Sequence, residues 1–173
     1  MNPLEVQPAV KPLYHRQPYE FRAQRLRDLP IDSPECACPE QAIPFLQAAM
    51  AGAAWHNPEV EQLVAVSLST RRRVTGFWLV SQGTIDTVLV HAREVFRTAI
   101  LVNAASIILA HNHPSGDASP SEADIKVTCD LVRAGRVIKI EVADHIILGQ
   151  PGYGGQPGNK GWVSLRELGY LNL

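Results

Sequence analysis

The chain has 173 residues, with 16 Lys and Arg against 17 Asp and Glu and a formal net charge of −1. A 46% hydrophobic fraction supplies a sizeable core for one domain with a tail. Only 19% of residues are charged, which argues against charge-driven disorder and against a broadly basic nucleic-acid coat, though not against a local basic patch.

Residues 1–38 carry Pro3, Pro8, Pro12, Pro18, Pro30 and Pro34. Each proline removes a backbone donor and turns its predecessor away from helix. The segment therefore reads as an extended arm, with one candidate strand inside Tyr19–Leu29 and a mild basic character from Arg16, Arg22, Arg25 and Arg27. Its start lacks the apolar run of a secretory signal. The longest apolar stretch, Ala99–Ala110, is interrupted by Asn103 and Ser106 and falls short of the ~20 apolar residues of a membrane span. Cys36, Cys38 and Cys129 are an odd set without framework spacing, read as reduced thiols. Together these features predict a soluble, cytoplasmic protein.

Residues 39–173 form the predicted domain. Pro39 suits a first helical turn, Ile43, Leu46, Ala49 and Met50 form a stripe, and Gly52 follows as a stop, so a helix is expected over Pro39–Met50. Glu61–Ser69 is short, apolar and rich in Val and Leu, the pattern of a buried strand. Thr70–Arg73 reads as a charged turn, Val74–Val80 as a second strand and Thr84–Val90 as a third. Ala92–Val102 returns to helical period, and Ala105–Ala110 is a central strand. A helix over Ser121–Ala134 stops near Gly135, and Val137–Leu148 is a long strand. Gly149–Gly161 holds six glycines and two prolines and must be a loop. Ser164–Leu168 offers one last helical turn. Strands interleaved with helices on this scale give a three-layer α/β or α+β domain.

The chemistry concentrates in His111-Asn112-His113-Pro114-Ser115-Gly116-Asp117-Ala118-Ser119-Pro120-Ser121-Glu122-Ala123-Asp124. In extended backbone, residues i and i+2 point the same way, so His111 and His113 aim two imidazoles at one place. Pro114, Gly116 and Pro120 turn the chain, and Ser121 takes the N-cap of the next helix with Asp124 in its first turn. If the turn folds back, Asp124 meets both histidines, and two His with one Asp match the three-ligand set of a catalytic zinc site. Such an ion can bring the pKa of a water from ~15.7 to roughly 7. The residues alone leave a second reading open: solvated histidines beside a variant capping box.

His-x-His, seven residues, then Ser-x-x-Asp is the JAMM signature of JAB/MPN-type zinc metallopeptidases, and His111, His113, Ser121 and Asp124 match it without a gap. Ala92-Arg-Glu-Val-Phe-Arg97, Ala104–Gly116 and Asp144-His-Ile-Ile-Leu-Gly149 closely resemble the bacterial RadC-like branch of that family, and the resemblance runs over residues 57–170. It implies a curved mixed sheet flanked by helices, in a cytidine-deaminase-like three-layer arrangement. It implies Zn2+ held by His111, His113 and Asp124, with Ser121 stabilising an oxyanion. It also implies a glutamate at the head of a strand as general base and acid. Glu61 matches that position, with Glu59 in reserve; Glu94 and Glu122 were equally available to spacing alone. The implied reaction is hydrolysis of a peptide or isopeptide bond, on a protein or peptide substrate with a ubiquitin-like modifier among the candidates.

Two features depart from the pattern. The Pro-rich arm shows no helix-hairpin-helix, the segment that usually precedes the domain in chromosomal RadC-like proteins. The loop Gly149–Gly161 is longer than the usual turn, and a plain solvated insertion is favoured over a role in substrate access. The competing function is a DNA-repair or mobile-element accessory protein with a structural or nuclease-type metal, which the balanced charge disfavours. Asp144-His145 is read as a structural hydrogen-bonded pair rather than a second metal site, and Arg71-Arg72-Arg73 as a charged hairpin tip.

Overall fold

The computed structural model describes residues 33–83, 90–155 and 159–172. Its elements in chain order are α1 (Pro39–Ala51), β1 (Gln62–Leu68), β2 (Val74–Gln82), α2 (Ala92–Leu101), β3 (Ser106–Asn112), α3 (Glu122–Ile138), β4 (Glu141–Leu148) and β5 (Trp162–Ser164). The strands form one sheet in the order β2-β1-β3-β4-β5. Among the described strands only the β3–β4 pair is parallel, and α3 is the crossover between them. The result is a mixed sheet with helices on both faces, consistent with a JAB/MPN-like fold.

Burial explains the layering. β1 lies between β2 and β3 and is buried along its whole length, so its run Leu63-Val64-Ala65-Val66 has apolar partners on both sides. Val64, Val66, Ile108, Ala110 and Ile146 pack under α1 through Ile43, Phe45, Leu46 and Met50. Leu63, Ala65, Ile107, Leu109 and Ile147 pack on the other face under α2 and α3 through Val95, Phe96, Leu131 and Val132. His111 continues the second row, two residues beyond Leu109, so the fold delivers it to the α3 side of the sheet. At the other end of β1, Glu35 bridges to Arg73 and the Cys36 N–H donates to the Arg72 carbonyl, laying residues 34–36 along the hairpin tip.

Several expectations need correction. α3 does not stop at Gly135 but runs to Ile138, and its left-handed cap is Lys139 (φ 60°). Gly135 is needed inside the helix, because a Cβ there would run into the Ile140 carbonyl oxygen and lie 3.1 Å from the Phe96 ring. The expected strand from Val137 accordingly begins at Glu141; local β preference at Val137-Ile138 loses to continuation of the helix. Ser164 closes β5 and also opens the expected turn, its carbonyl accepting from the Leu168 N–H at 3.2 Å and its hydroxyl from the Glu167 N–H at 3.1 Å. The candidate strands at Tyr19–Leu29 and, except for Val90, at Thr84–Val90 lie outside the described residues. No described helix is long and apolar enough to cross a membrane.

Candidate metal centre

The centre forms where β3 ends and α3 begins. His113 opens a tight turn in which the Gly116 N–H donates to the His113 carbonyl at 3.0 Å, and Gly116 takes φ 87°, a conformation that disfavours a Cβ. The Ser119 N–H donates to Asp117 Oδ1 and holds the return limb. Ser121 then caps α3: its Oγ accepts from the Asp124 N–H at 3.1 Å, and its own N–H donates to Asp124 Oδ2 at 2.8 Å. This is a reciprocal capping box with Asp at the third position.

That cap does not compete with ligation. The two oxygens of Asp124 divide the work, Oδ2 taking the Ser121 N–H and hydroxyl while Oδ1 lies 3.2 Å from His111 Nε2. His113 Nε2 lies 3.6 Å from Asp124 Oδ2 and 3.0 Å from His111 Nε2. One ligand atom from each of His111, His113 and Asp124 thus falls within 4.8 Å of the others. The side chains of His111 and Asp124 are 0% and 2% exposed, while His113 keeps 14%, so the centre opens to solvent on the His113 side.

The donor set is one that a cation completes. His113 Nδ1 is 2.6 Å from the Asp117 carbonyl, an acceptor only, so Nδ1 carries the proton and Nε2 of the neutral ring keeps its lone pair. His111 Nδ1 is likewise spent, 2.8 Å from His145 Nε2. Two bare ring nitrogens 3.0 Å apart beside a carboxylate repel one another unless a positive charge sits among them. The Asp124 hydrogen bond raises the His113 imidazole against the opposing effect of burial. Burial would raise the Asp124 carboxyl, but its bonds to His111, His113 and Ser121 outweigh it and hold the group well below the usual carboxylate range. The residues present fit a divalent metal ion.

Glu61 immediately precedes β1. Leu63 pairs with His111, the last pair of the β1–β3 ladder, so the segment entering β1 reaches the end of β3 that carries His113. Its charge is felt there, adding to the upward pull on His113. Asn112 fixes this stretch, since Oδ1 accepts from the Gln62 N–H at 2.9 Å and Nδ2 donates to the Val60 carbonyl at 3.0 Å. The residue between the two histidines therefore clamps the main chain on both sides of Glu61. Glu59 lies one turn earlier, with its N–H on Asn57 Oδ1, and stays exposed.

Three contributors escaped the sequence. Asn112 carries no signal in sequence beyond its place between the two histidines. Thr128 is four residues after Asp124 on the same face of α3, a spacing that could have marked it. His145 reaches His111 only through the parallel β3–β4 register, in which it stands opposite Leu109. The expected Asp144-His145 pair bonds through the main chain, the His145 N–H donating to Asp144 Oδ1 at 2.7 Å. The side chains part: Asp144 accepts from Ser164 Oγ and the Arg166 N–H, while His145 turns to His111. The loop from Gly149 is also more than a plain insertion. The Gln150 N–H donates to the Gly116 carbonyl at 2.8 Å, and a Cβ on Gly116 would meet Tyr153 at 3.0 Å, so this loop braces the turn that carries His113.

The family model described as a RadC-like JAB domain matches residues 36–170. A UPF0758 protein of Symbiobacterium thermophilum is 42% identical over 142 residues, covering 82% of this chain and 55% of its own length. A UPF0758 protein of Methanococcoides burtonii is 42% identical over 112 residues (65% and 45%), and one of Moorella thermoacetica is 53% identical over 89 residues (51% and 39%). The chain spans about half the length of the curated relatives it matches.

Proposed function

The chain belongs to the RadC-like JAB domain family, and we propose that it is a zinc-dependent hydrolase of peptide or isopeptide bonds. One observation carries the reading: His111 Nε2, His113 Nε2 and an Asp124 oxygen converge while both Nδ1 atoms are committed to acceptors in the protein. Two neutral imidazoles and one carboxylate, with a solvent-facing side at His113, are the protein ligand set of catalytic rather than structural zinc. When bound, the ion supplies Lewis acidity, which polarises a carbonyl and acidifies water.

The chain's own groups supply the rest. Glu61, whose charge reaches His113, takes a proton from the attacking water and delivers it to the leaving nitrogen. Ser121 first serves as an orienting group, its hydroxyl donating to Asp124 Oδ2 at 2.7 Å. For that hydroxyl to stabilise an oxyanion it must turn away from Oδ2, and the Ser121 N–H then keeps Asp124 in place. A protein or peptide, including one joined through a ubiquitin-like modifier, is the substrate class this chemistry suits.

The test is a panel of peptide- and isopeptide-linked fluorogenic substrates with Glu61→Gln as the comparison. Wild type turns over a responsive member, and Glu61→Gln loses turnover while retaining its ion. Equal rates for the two proteins would remove Glu61 from the mechanism.

A further inference from the structure

We propose that His145 and Thr128 form a positioning relay that decides which nitrogen of His111 carries the hydrogen and so leaves Nε2 free for the metal, making ion affinity depend on two residues outside the ligand set. The proposal rests on the metal-centre reading above and adds to it a cause for the orientation of His111.

The reasoning begins at an oxygen that can only accept. Thr128 Oγ1 lies 2.6 Å from the Asp124 carbonyl, and that contact is a hydrogen bond only if Thr128 spends its single proton there. The same Oγ1 lies 2.6 Å from His145 Nδ1, so it accepts and His145 Nδ1 carries the hydrogen. A neutral His145 then has a bare Nε2, which lies 2.8 Å from His111 Nδ1. His111 Nδ1 must donate, and Nε2 is left with its lone pair among Asp124 and His113. Each proton position follows from the network of partners. The opposite arrangement, with hydrogen on His145 Nε2, would force hydrogen onto His111 Nε2 and block ligation.

Two structural points make the relay more than packing. His145 is 2% exposed and Thr128 is fully buried, so water does not substitute for either partner. The path also closes on itself: β3 gives His111, β4 gives His145, α3 gives Thr128, and Thr128 returns to the main chain of Asp124. The orientation of one ligand is thereby tied to the helix turn that carries another. The group behind a metal-binding histidine is usually a carboxylate, a carbonyl or water. A neutral histidine there leaves the centre without the extra negative charge a carboxylate would add. His113 is set separately, by the Asp117 carbonyl.

The experiment measures Zn2+ dissociation constants by chelator competition, and the visible spectrum of the Co2+ form, in the full chain. Variants are His145→Leu, His145→Gln, Thr128→Val and Thr128→Ser. His145→Leu is expected to bind Zn2+ about 10–100-fold more weakly, with an altered Co2+ spectrum. His145→Gln recovers most of the affinity, because its amide oxygen can accept from His111 Nδ1. Thr128→Val, which keeps the shape and removes the hydroxyl, weakens binding even if His145→Leu does not fold, and Thr128→Ser restores it. Wild-type affinity and spectrum in a folded His145→Leu or Thr128→Val would overturn the relay and leave the metal centre standing. Failure of the wild type to bind Zn2+ would overturn both.

Discussion

Asn112→Ala isolates the clamp on the Glu61 segment from the metal ligands beside it. The substitution removes an acceptor for the Gln62 N–H and a donor to the Val60 carbonyl. Gln62 is fully buried and Val60 half-buried, so solvent replaces the lost partners only in part. Each lost bond costs about 0.5–1.5 kcal/mol, giving a total of about 1–3 kcal/mol. For a chain of this size that lowers Tm by roughly 2–12 °C. The ligand nitrogens are untouched and strand alternation points Asn112 away from them, so Zn2+ affinity stays near the wild-type value. Differential scanning calorimetry and chelator competition on the same sample read the two effects. An unchanged Tm would refute the clamp, and a large fall in affinity with Tm preserved would refute the separation of the two roles.

The other predictions concern the brace, a thiol and a buried acid. Gly149→Ala drives a Cβ into the Gly116 carbonyl oxygen and to 2.9 Å from the Ala118 nitrogen, so both Tm and ion affinity fall. Gly152→Ala, with nothing within 4 Å and φ 75°, costs only about 1–2 kcal/mol of left-handed strain and leaves the affinity alone; equal effects on binding would dismiss the brace. Burial, helped by the charge of Cys38, pushes the Cys36 thiol up to about 11. Mildly alkaline iodoacetamide therefore modifies exposed Cys38 well before Cys36 in the folded protein, as peptide mapping will show unless the reasoning fails. Burial also raises the Asp144 carboxyl, against the bonds from Ser164, Arg166 and His145. A carboxyl raised in the native state weakens the fold at neutral pH, and that penalty fades as pH falls through its raised value. Asp144→Asn lacks the dependence, so its stability relative to wild type declines from neutral pH toward about 4; urea melts showing a rise would reverse the sign.

What was legible in the chain depended on how local the cause was. The His111/His113 pair follows from strand alternation, and the Ser121–Asp124 box follows from cap spacing, so both could be read without coordinates. The two readings of Asp124 seemed exclusive in sequence and are compatible in space, because a carboxylate has two oxygens and each serves one. Glu61 required resemblance, since spacing alone does not separate it from Glu59 and Glu94. The end of α3 was misplaced because Gly135 is held by the Phe96 ring and the Ile140 carbonyl, both set by tertiary packing. His145 was hidden for the same reason: its partner lies 34 residues away across a parallel pair.

The central claim is that His111, His113 and Asp124 hold one divalent ion. Elemental analysis after exhaustive dialysis against ion-free buffer and reloading with Zn2+ tests it directly, using wild type, His111→Ala and Asp124→Ala. The account predicts one zinc per wild-type chain and none retained by either variant. Equal zinc in all three proteins, or none in folded wild type, would contradict it.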